Sequence, residues 1–506
     1  MAKRHLVLIV TMTLTSVLVP LPGAHAAPPG CQTEVPVSGD LDGDGLADLV
    51  VGLPGWDGTG AVDLRLTSAP SRLLLPADLG LQPDAGDAFG AAVALGDLDA
   101  DGCDELVVGA PGTLDGAGRV HVVPGSPSGV RASGRVTLDA DASPADRFGA
   151  SLAVAERPGP TELTAGADLW VGSPDDSPSA VRRTGSVAHF AVPAGGTRPV
   201  LVEKLSQASP GVPGAGEVDD RFGSVLAATR YGVLVGVPGE DVGARRDAGA
   251  VTVLRLGGLG AGVDRAVGWT QDSPGVAGTA EAGDRFGAAL AARPGHVVVG
   301  VPGEDVGTRQ DAGMVQVFDA SDRGALVPRR GLTQDAAGIP GTAEAGDQLG
   351  AAVLVGANVG CGEGVIQAVV GAPGEDIRVG GRTRADAGTI LVVPLTAQRE
   401  CQARYDDQAG RLEGSVEAGD RLGAVLGLGR VRDDHDDETG DRAYVAVPGE
   451  DRGAVVDAGL VVATASGTGA GAYDLQVAGR RQPSVGFSGG ATTRQRYGTV
   501  LATPTG

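Results

Sequence analysis

The chain has 506 residues and a formal net charge of −23, from 63 acidic and 40 basic residues. That balance argues against a nucleic-acid surface and against adhesion to anionic lipid, because both need basic patches. Its 85 glycines and 32 prolines raise disorder as an alternative, but short apolar runs recur at regular intervals and can bury a core.

Residues 1–26 read as a secretory signal. Lys3 and Arg4 form the charged start, 6–19 is an apolar run, and Ala24-His25-Ala26 is a small-x-small cleavage site. The run is short for a bilayer span and no second long apolar stretch follows, so no membrane insertion is predicted. Cleavage after Ala26 removes Lys3 and Arg4 and takes the net charge from −23 to −25, so the expected product is a secreted, acidic chain. Four cysteines in an exported chain imply two disulfides, with three possible pairings. Cys361 and Cys401 fall at the same end of one up-and-down sheet, which favours Cys361–Cys401 and leaves Cys31–Cys103.

The first repeat begins at Cys31. Its most informative stretch is Asp40-Leu41-Asp42-Gly43-Asp44-Gly45-Leu46-Ala47-Asp48. Carboxylates fall at positions 1, 3, 5 and 9, on Asp40, Asp42, Asp44 and Asp48. The backbone carbonyl of Leu46 sits at position 7, and Gly45 at position 6 permits a sharp turn. This is the oxygen-only logic of an EF-hand loop, and Ca²⁺ takes 6–8 such oxygens. The plainer alternative is a solvated Asp-Gly turn.

A strand ending in Val50-Val51-Gly52-Leu53-Pro54 follows. The same apolar-apolar-Gly-x-Pro phrase returns with prolines at 111, 174, 238, 302, 373 and 448. A period of this size marks stacked units, none of which can bury its apolar face alone.

The second repeat shows the unit most clearly. Asp87-Ala88-Phe89-Gly90 opens it, a short strand over 91–95 follows, and an acidic turn leads to Leu106-Val107-Val108. Gly118-Arg119-Val120-His121-Val122-Val123 alternates as a third strand, and Arg135-Val136-Thr137-Leu138 reads as a fourth. The turn repeats the acidic spacing: Asp97, Asp99, Asp101, the carbonyl of Cys103, and Glu105 at position 9. Later repeats lack this pattern. The seventh carries an acidic run over 433–438, off register, read as a solvated loop with a surface cation site as the alternative.

Four late repeats instead carry Pro-Gly-Glu-Asp followed by Asp-Ala-Gly: Glu240-Asp241 with Asp247, Glu304-Asp305 with Asp311, Glu375-Asp376 with Asp386, and Glu450-Asp451 with Asp457. They fall between second and third strands, on the face opposite the acidic turns. Either they ring a binding surface with carboxylates or they supply turn chemistry, since Asp caps backbone N–H groups. The Asp before each Phe-Gly, such as Asp87, Asp220 and Asp284, reads as a backbone cap.

Four short antiparallel strands per repeat, seven times, predict an all-β, seven-bladed β-propeller over 27–506. The C-terminal copy, Arg496-Tyr497-Gly498-Thr499-Val500-Leu501, has no Gly-x-Pro after it, and the first repeat has no Phe-Gly. The C-terminal strand is therefore expected to complete the first blade and close the ring.

Phe-Gly, an acidic turn and Gly-Ala-Pro together resemble the FG-GAP repeat, which builds the seven-bladed propeller at the head of integrin α subunits. The best matches are Phe89-Gly90 with Gly109-Ala110-Pro111, and Phe286-Gly287 with Gly300-Val301-Pro302. The sixth and seventh copies depart, with Leu for Phe, and the third has Ser173 for Ala. The resemblance implies Ca²⁺ in the two acidic turns, each set between strands, and a face whose loops meet ligand.

Catalytic signals are weak. The four histidines left after cleavage lack metal-ligand spacing. The string Gly486-Phe487-Ser488-Gly489-Gly490 resembles a nucleophile elbow, but no His follows Ser488. The expected function is a non-catalytic extracellular binding or adhesion module, a calcium-stabilised monomer taking a protein or polysaccharide ligand. The alternative is a secreted hydrolase of glycosidase or esterase type with an unlocated site.

Overall fold

Valine-rich runs of five to seven residues, each closed off by glycine, proline or aspartate, favour short strands that pair with their sequence neighbours. The computed structural model describes residues 31, 38–156, 167–178, 180–193, 196–258, 261–321, 324–357, 359, 365–396, 404–406, 415–432, 439–449, 460–463 and 500–501. Among them lie six four-stranded antiparallel sheets. In the second blade Ala92–Gly96, Glu105–Ala110, Arg119–Val123 and Val136–Leu138 pair in sequence order. The third, fourth and fifth blades repeat that order. The sixth does so with an extra hairpin, Ile377–Val379 with Arg382–Arg384.

The first blade is built from both ends of the chain. Leu49–Leu53, Ala61–Arg65 and Arg72–Leu74 come from the first repeat, and Val500–Leu501 pairs with the free edge of Leu49–Leu53. Its register sets Val51 opposite Leu501 and Gly52 opposite Val500. The seventh repeat forms a three-stranded sheet, Leu426–Arg432, Thr439–Val447 and Leu460–Ala463. The expectation of seven complete blades is thus corrected to six among the described residues. The glycine-rich stretch 464–499 lies outside them.

The repeat's signature residues form the joints between blades. Phe89, Phe148, Phe222 and Phe286 are buried, and full burial of such a ring stabilises by about 1.5–3 kcal/mol. The glycines let backbones touch where two blades meet. A Cβ on Gly109 would stand 2.0 Å from the carbonyl oxygen of Gly149, so no side chain fits there. Gly149 itself has φ of +87° and donates its N–H to Gly172 O at 3.0 Å. The same contact links Gly172 to Gly223, Gly300 to Gly350 and Gly371 to Gly423.

The innermost strands of the second to seventh blades bring Ala94, Ala153, Ala227, Ala291, Leu354 and Leu428 around one aliphatic cavity of about 90 Å³. Chemistry is therefore left to the loops at the two ends of the sheets. The turns before second strands emerge at one end, and those between second and third strands at the other. Among the described residues no helix is long and apolar enough to cross a membrane.

Candidate metal centre

The first acidic turn is held by its own backbone. Asp40 accepts from Gly43 N at 2.7 Å and Gly45 N at 2.8 Å, while Asp44 accepts from Leu46 N at 2.9 Å. Asp48 closes the loop from the far end: its Oδ2 accepts from Leu41 N and its N–H donates to Gly39 O, at 2.9 and 2.8 Å. Oxygens of Asp40, Asp42 and Asp48 then lie within 4.8 Å of one another, and all three side chains are buried. Asp44 stays exposed and accepts from Thr67 Oγ1 at 2.6 Å.

Burial dominates the electrostatics. It pushes Asp48 up to about 8 and Asp40 to about 6, and the neighbouring carboxylates add to both. Asp42 is raised for the same first reason. Among the described residues no Arg or Lys side chain pairs with Asp40, Asp42 or Asp48. Three buried carboxylates without a protein cation are costly unless a proton or a metal supplies the charge.

The second turn repeats the scheme with variations. Oxygens of Asp97, Asp99 and Asp101 converge within 4.8 Å. Asp97 accepts from Asp101 N and Gly102 N at 3.1 Å each, and Glu105 plays the part of Asp48 by accepting from Leu98 N at 2.8 Å. Burial pushes Asp97 to about 7 and Asp99 to about 6, and raises Glu105 well above the carboxylate range. Asp99 Oδ1 is buried without a hydrogen-bond partner, an orphan that points to a missing donor or cation. Arg131 comes within 3.8 Å of Asp101 and offsets part of the charge. The Cys103 sulfur is bonded to Cys31 at 2.04 Å, so only the Cys103 backbone is free to act as a ligand.

The donor sets are all oxygen, as a hard divalent cation requires; the first triad has no Arg or Lys partner among the described residues, and Arg131 offsets only part of the second. The residues present therefore fit calcium. Of the ten candidate ligands, the structure brings six carboxylates into two triads, keeps Glu105 buried at the base of its loop, and leaves Asp44 turned toward Thr67.

The far-face loops are organised differently. Asp241 accepts from Asp247 N at 3.0 Å, Asp305 from Asp311 N at 2.9 Å and Asp376 from Asp386 N at 3.1 Å. Asp247, Asp311 and Asp386 take φ values of +52°, +52° and +51°, a conformation Asp tolerates. This is turn chemistry. Each adjacent Glu is instead tucked inward against a glutamine: Glu240 with Gln207, Glu304 with Gln271 at 2.6 Å, Glu375 with Gln334 at 2.6 Å. Burial pushes all three glutamates to about 7. The Asp before each Phe-Gly is a backbone cap, as in Asp87 accepting from Asp84 N at 2.8 Å and Asp284 from Glu281 N at 2.5 Å.

Sequence reading missed the partners. Thr67 and Ser68, from the turn after the first blade's third strand, donate to Asp44 and Asp42. The glutamines had a usable signal, a Ser/Thr-Gln pair at 206–207, 270–271 and 333–334, which precedes each Glu-Asp loop. Of the expected disulfides, Cys31–Cys103 is present with a Cα separation of 5.2 Å. Cys361, Cys401, the 433–438 run, Glu450-Asp451 with Asp457, the Ser488 string and the signal segment lie outside the described residues.

Comparison with known proteins agrees with this architecture. The FG-GAP repeat model matches residues 34–64 and 89–123, and each match contains one acidic turn with the strands that follow it. No curated protein matches the chain. Among solved structures, a candidate 6-phosphogluconolactonase from Bacteroides uniformis aligns at 12% identity, covering 72% of this chain and 84% of its own, with a TM-score of 0.34. A likeness that distant bears on neither activity nor ligand. The chain carries FG-GAP repeats, and it carries them on a β-propeller.

Proposed function

We propose that this chain is a secreted, calcium-binding FG-GAP propeller that works as a non-catalytic extracellular binding module for a protein or polysaccharide. The single observation that carries the calcium reading is the buried triad of Asp40, Asp42 and Asp48, with which no Arg or Lys of the described residues pairs, repeated in half-buried form by Asp97, Asp99 and Asp101. Asp40, Asp42, Asp44 and Asp48 with the Leu46 carbonyl would hold one ion. Asp97, Asp99, Asp101 and Glu105 with the Cys103 carbonyl would hold the other. Bound calcium supplies the positive charge that these loops lack and fixes their shape; it has no redox or nucleophilic part to play.

Closure of the ring belongs to the same reading. It is supported by the pairing of Val500–Leu501 with the first blade, and by Val425 and Tyr444 of the seventh repeat, which pack against the cluster of Val51, Leu53, Ala61 and Leu501. The Cys31–Cys103 disulfide supports export, because such bonds persist in oxidising compartments.

Residues 27–506, prepared as one chain, can be passed over immobilised extracellular polysaccharides and proteins in calcium or in EDTA. Retention on one ligand class in calcium, lost in EDTA, is the expected result. Release of soluble sugar or acid from any of these polymers would replace the binding reading with the hydrolase.

A further inference from the structure

The two acidic turns belong to different blades, yet Asp104 joins them directly. Asp104, at position 8 of the second turn, is buried, and its Oδ2 accepts from Gly39 N at 2.6 Å. Its own N–H donates to Asp40 O at 2.8 Å. This two-point clamp grips the residue that opens the first loop, and Gly39 O in turn accepts from Asp48 N at the residue that ends it. The same blade touches the first turn again beyond its third strand, where Ser126 N donates to Leu41 O at 3.1 Å. Gly125 fits between the two turns because any Cβ there would stand 2.4 Å from Asp104 O and 2.6 Å from Leu41 O. The second turn is itself tied covalently: Cys103, whose carbonyl is a candidate ligand, is bonded to Cys31, and Cys31 O lies directly over Gly102.

We propose that the two turns fill with calcium as one coupled pair, with Asp104 as the positioning residue that transmits order from one to the other. This rests on the calcium reading above. A cation in the second loop fixes Cys103 and Glu105, and so fixes Asp104 between them. Asp104 then holds Gly39 and Asp40 in place, and the first loop has less freedom to lose when its own ion binds. Binding coupled through shared ordering is positive and reciprocal. The link runs through backbone groups on Gly39 and Asp40, so an amide at position 104 that still accepts from Gly39 N preserves it.

Calcium calorimetry on chain 27–506 tests this. The wild type should bind two ions cooperatively. Asp97→Ala, which disables the second loop, should also weaken the first by about 5-fold or more, the lower end of typical coupling. Asp104→Ala should abolish cooperativity while both loops still bind, and Asp104→Asn should restore it. If Asp104→Ala fails to fold, the effect of Asp97→Ala on the first loop decides alone. Two ions binding independently, each indifferent to loss of the other loop, would overturn the coupling and leave the calcium reading intact. No calcium binding at either loop would overturn both.

Discussion

The acidic turns of the first two blades and the Glu-Asp loops of the fourth to sixth blades draw on the same residue types and resolve their charge in opposite ways. On the far face six carboxylates each accept from a neutral donor and stay apart from one another: Asp241, Asp305 and Asp376 take a turn N–H, and Glu240, Glu304 and Glu375 take a glutamine amide. On the near face Asp40, Asp42 and Asp48 are drawn together by backbone N–H groups without a cation to balance them. Acidic density alone does not mark a site. Counting which carboxylates remain uncompensated does.

The near face is also tied covalently, and that difference should give the largest effect. Cys31 and Cys103 are 72 residues apart, so Cys31→Ser/Cys103→Ser should cost about 4 kcal/mol of stability by urea unfolding. A loss below about 1 kcal/mol would mean that the near face is held by its hydrogen bonds alone.

The next effect belongs to the far face and concerns pH. Glu240, Glu304 and Glu375 are pushed to about 7 in the folded protein, chiefly by burial, against 4.5 as their ordinary value. The folded state thus keeps protons that the unfolded chain releases, and stability falls as pH rises from about 4.5 through about 7. Glu240→Gln/Glu304→Gln/Glu375→Gln should lessen the slope of melting temperature across that window, the raised near-face carboxylates keeping their share. An unchanged slope would show that these glutamates are solvated rather than tucked inward.

The smallest effect separates turn chemistry from metal binding. Asp241→Ala should cost about 1 kcal/mol for its lost turn hydrogen bond and leave any response to calcium unaltered. If Asp241→Ala removed a calcium response, the far-face loops would have to be counted as ion sites too.

Much of this was legible in the residues. The beat of Phe-Gly and Gly-x-Pro gave the strand order, and the Asp-x-Asp-x-Asp-Gly spacing located both carboxylate triads. The contacts that define the site were not legible, because they cross between units. Gln271 reaches Glu304 over 33 residues, and Asp104 reaches Gly39 over 65. A repeat pattern sets which strand follows which, whereas these partners depend on how neighbouring blades stack. The blade count shows the same boundary: among the described residues six blades have four strands, and the seventh repeat has three.

The central claim is that the near-face triads hold calcium. Thermal unfolding of chain 27–506 in EDTA and in saturating calcium tests it most directly. At free calcium 100 times the dissociation constant each filled site should add about 2.7 kcal/mol, and Asp40→Ala/Asp97→Ala should abolish the gain. An identical melting curve with and without calcium would contradict the claim.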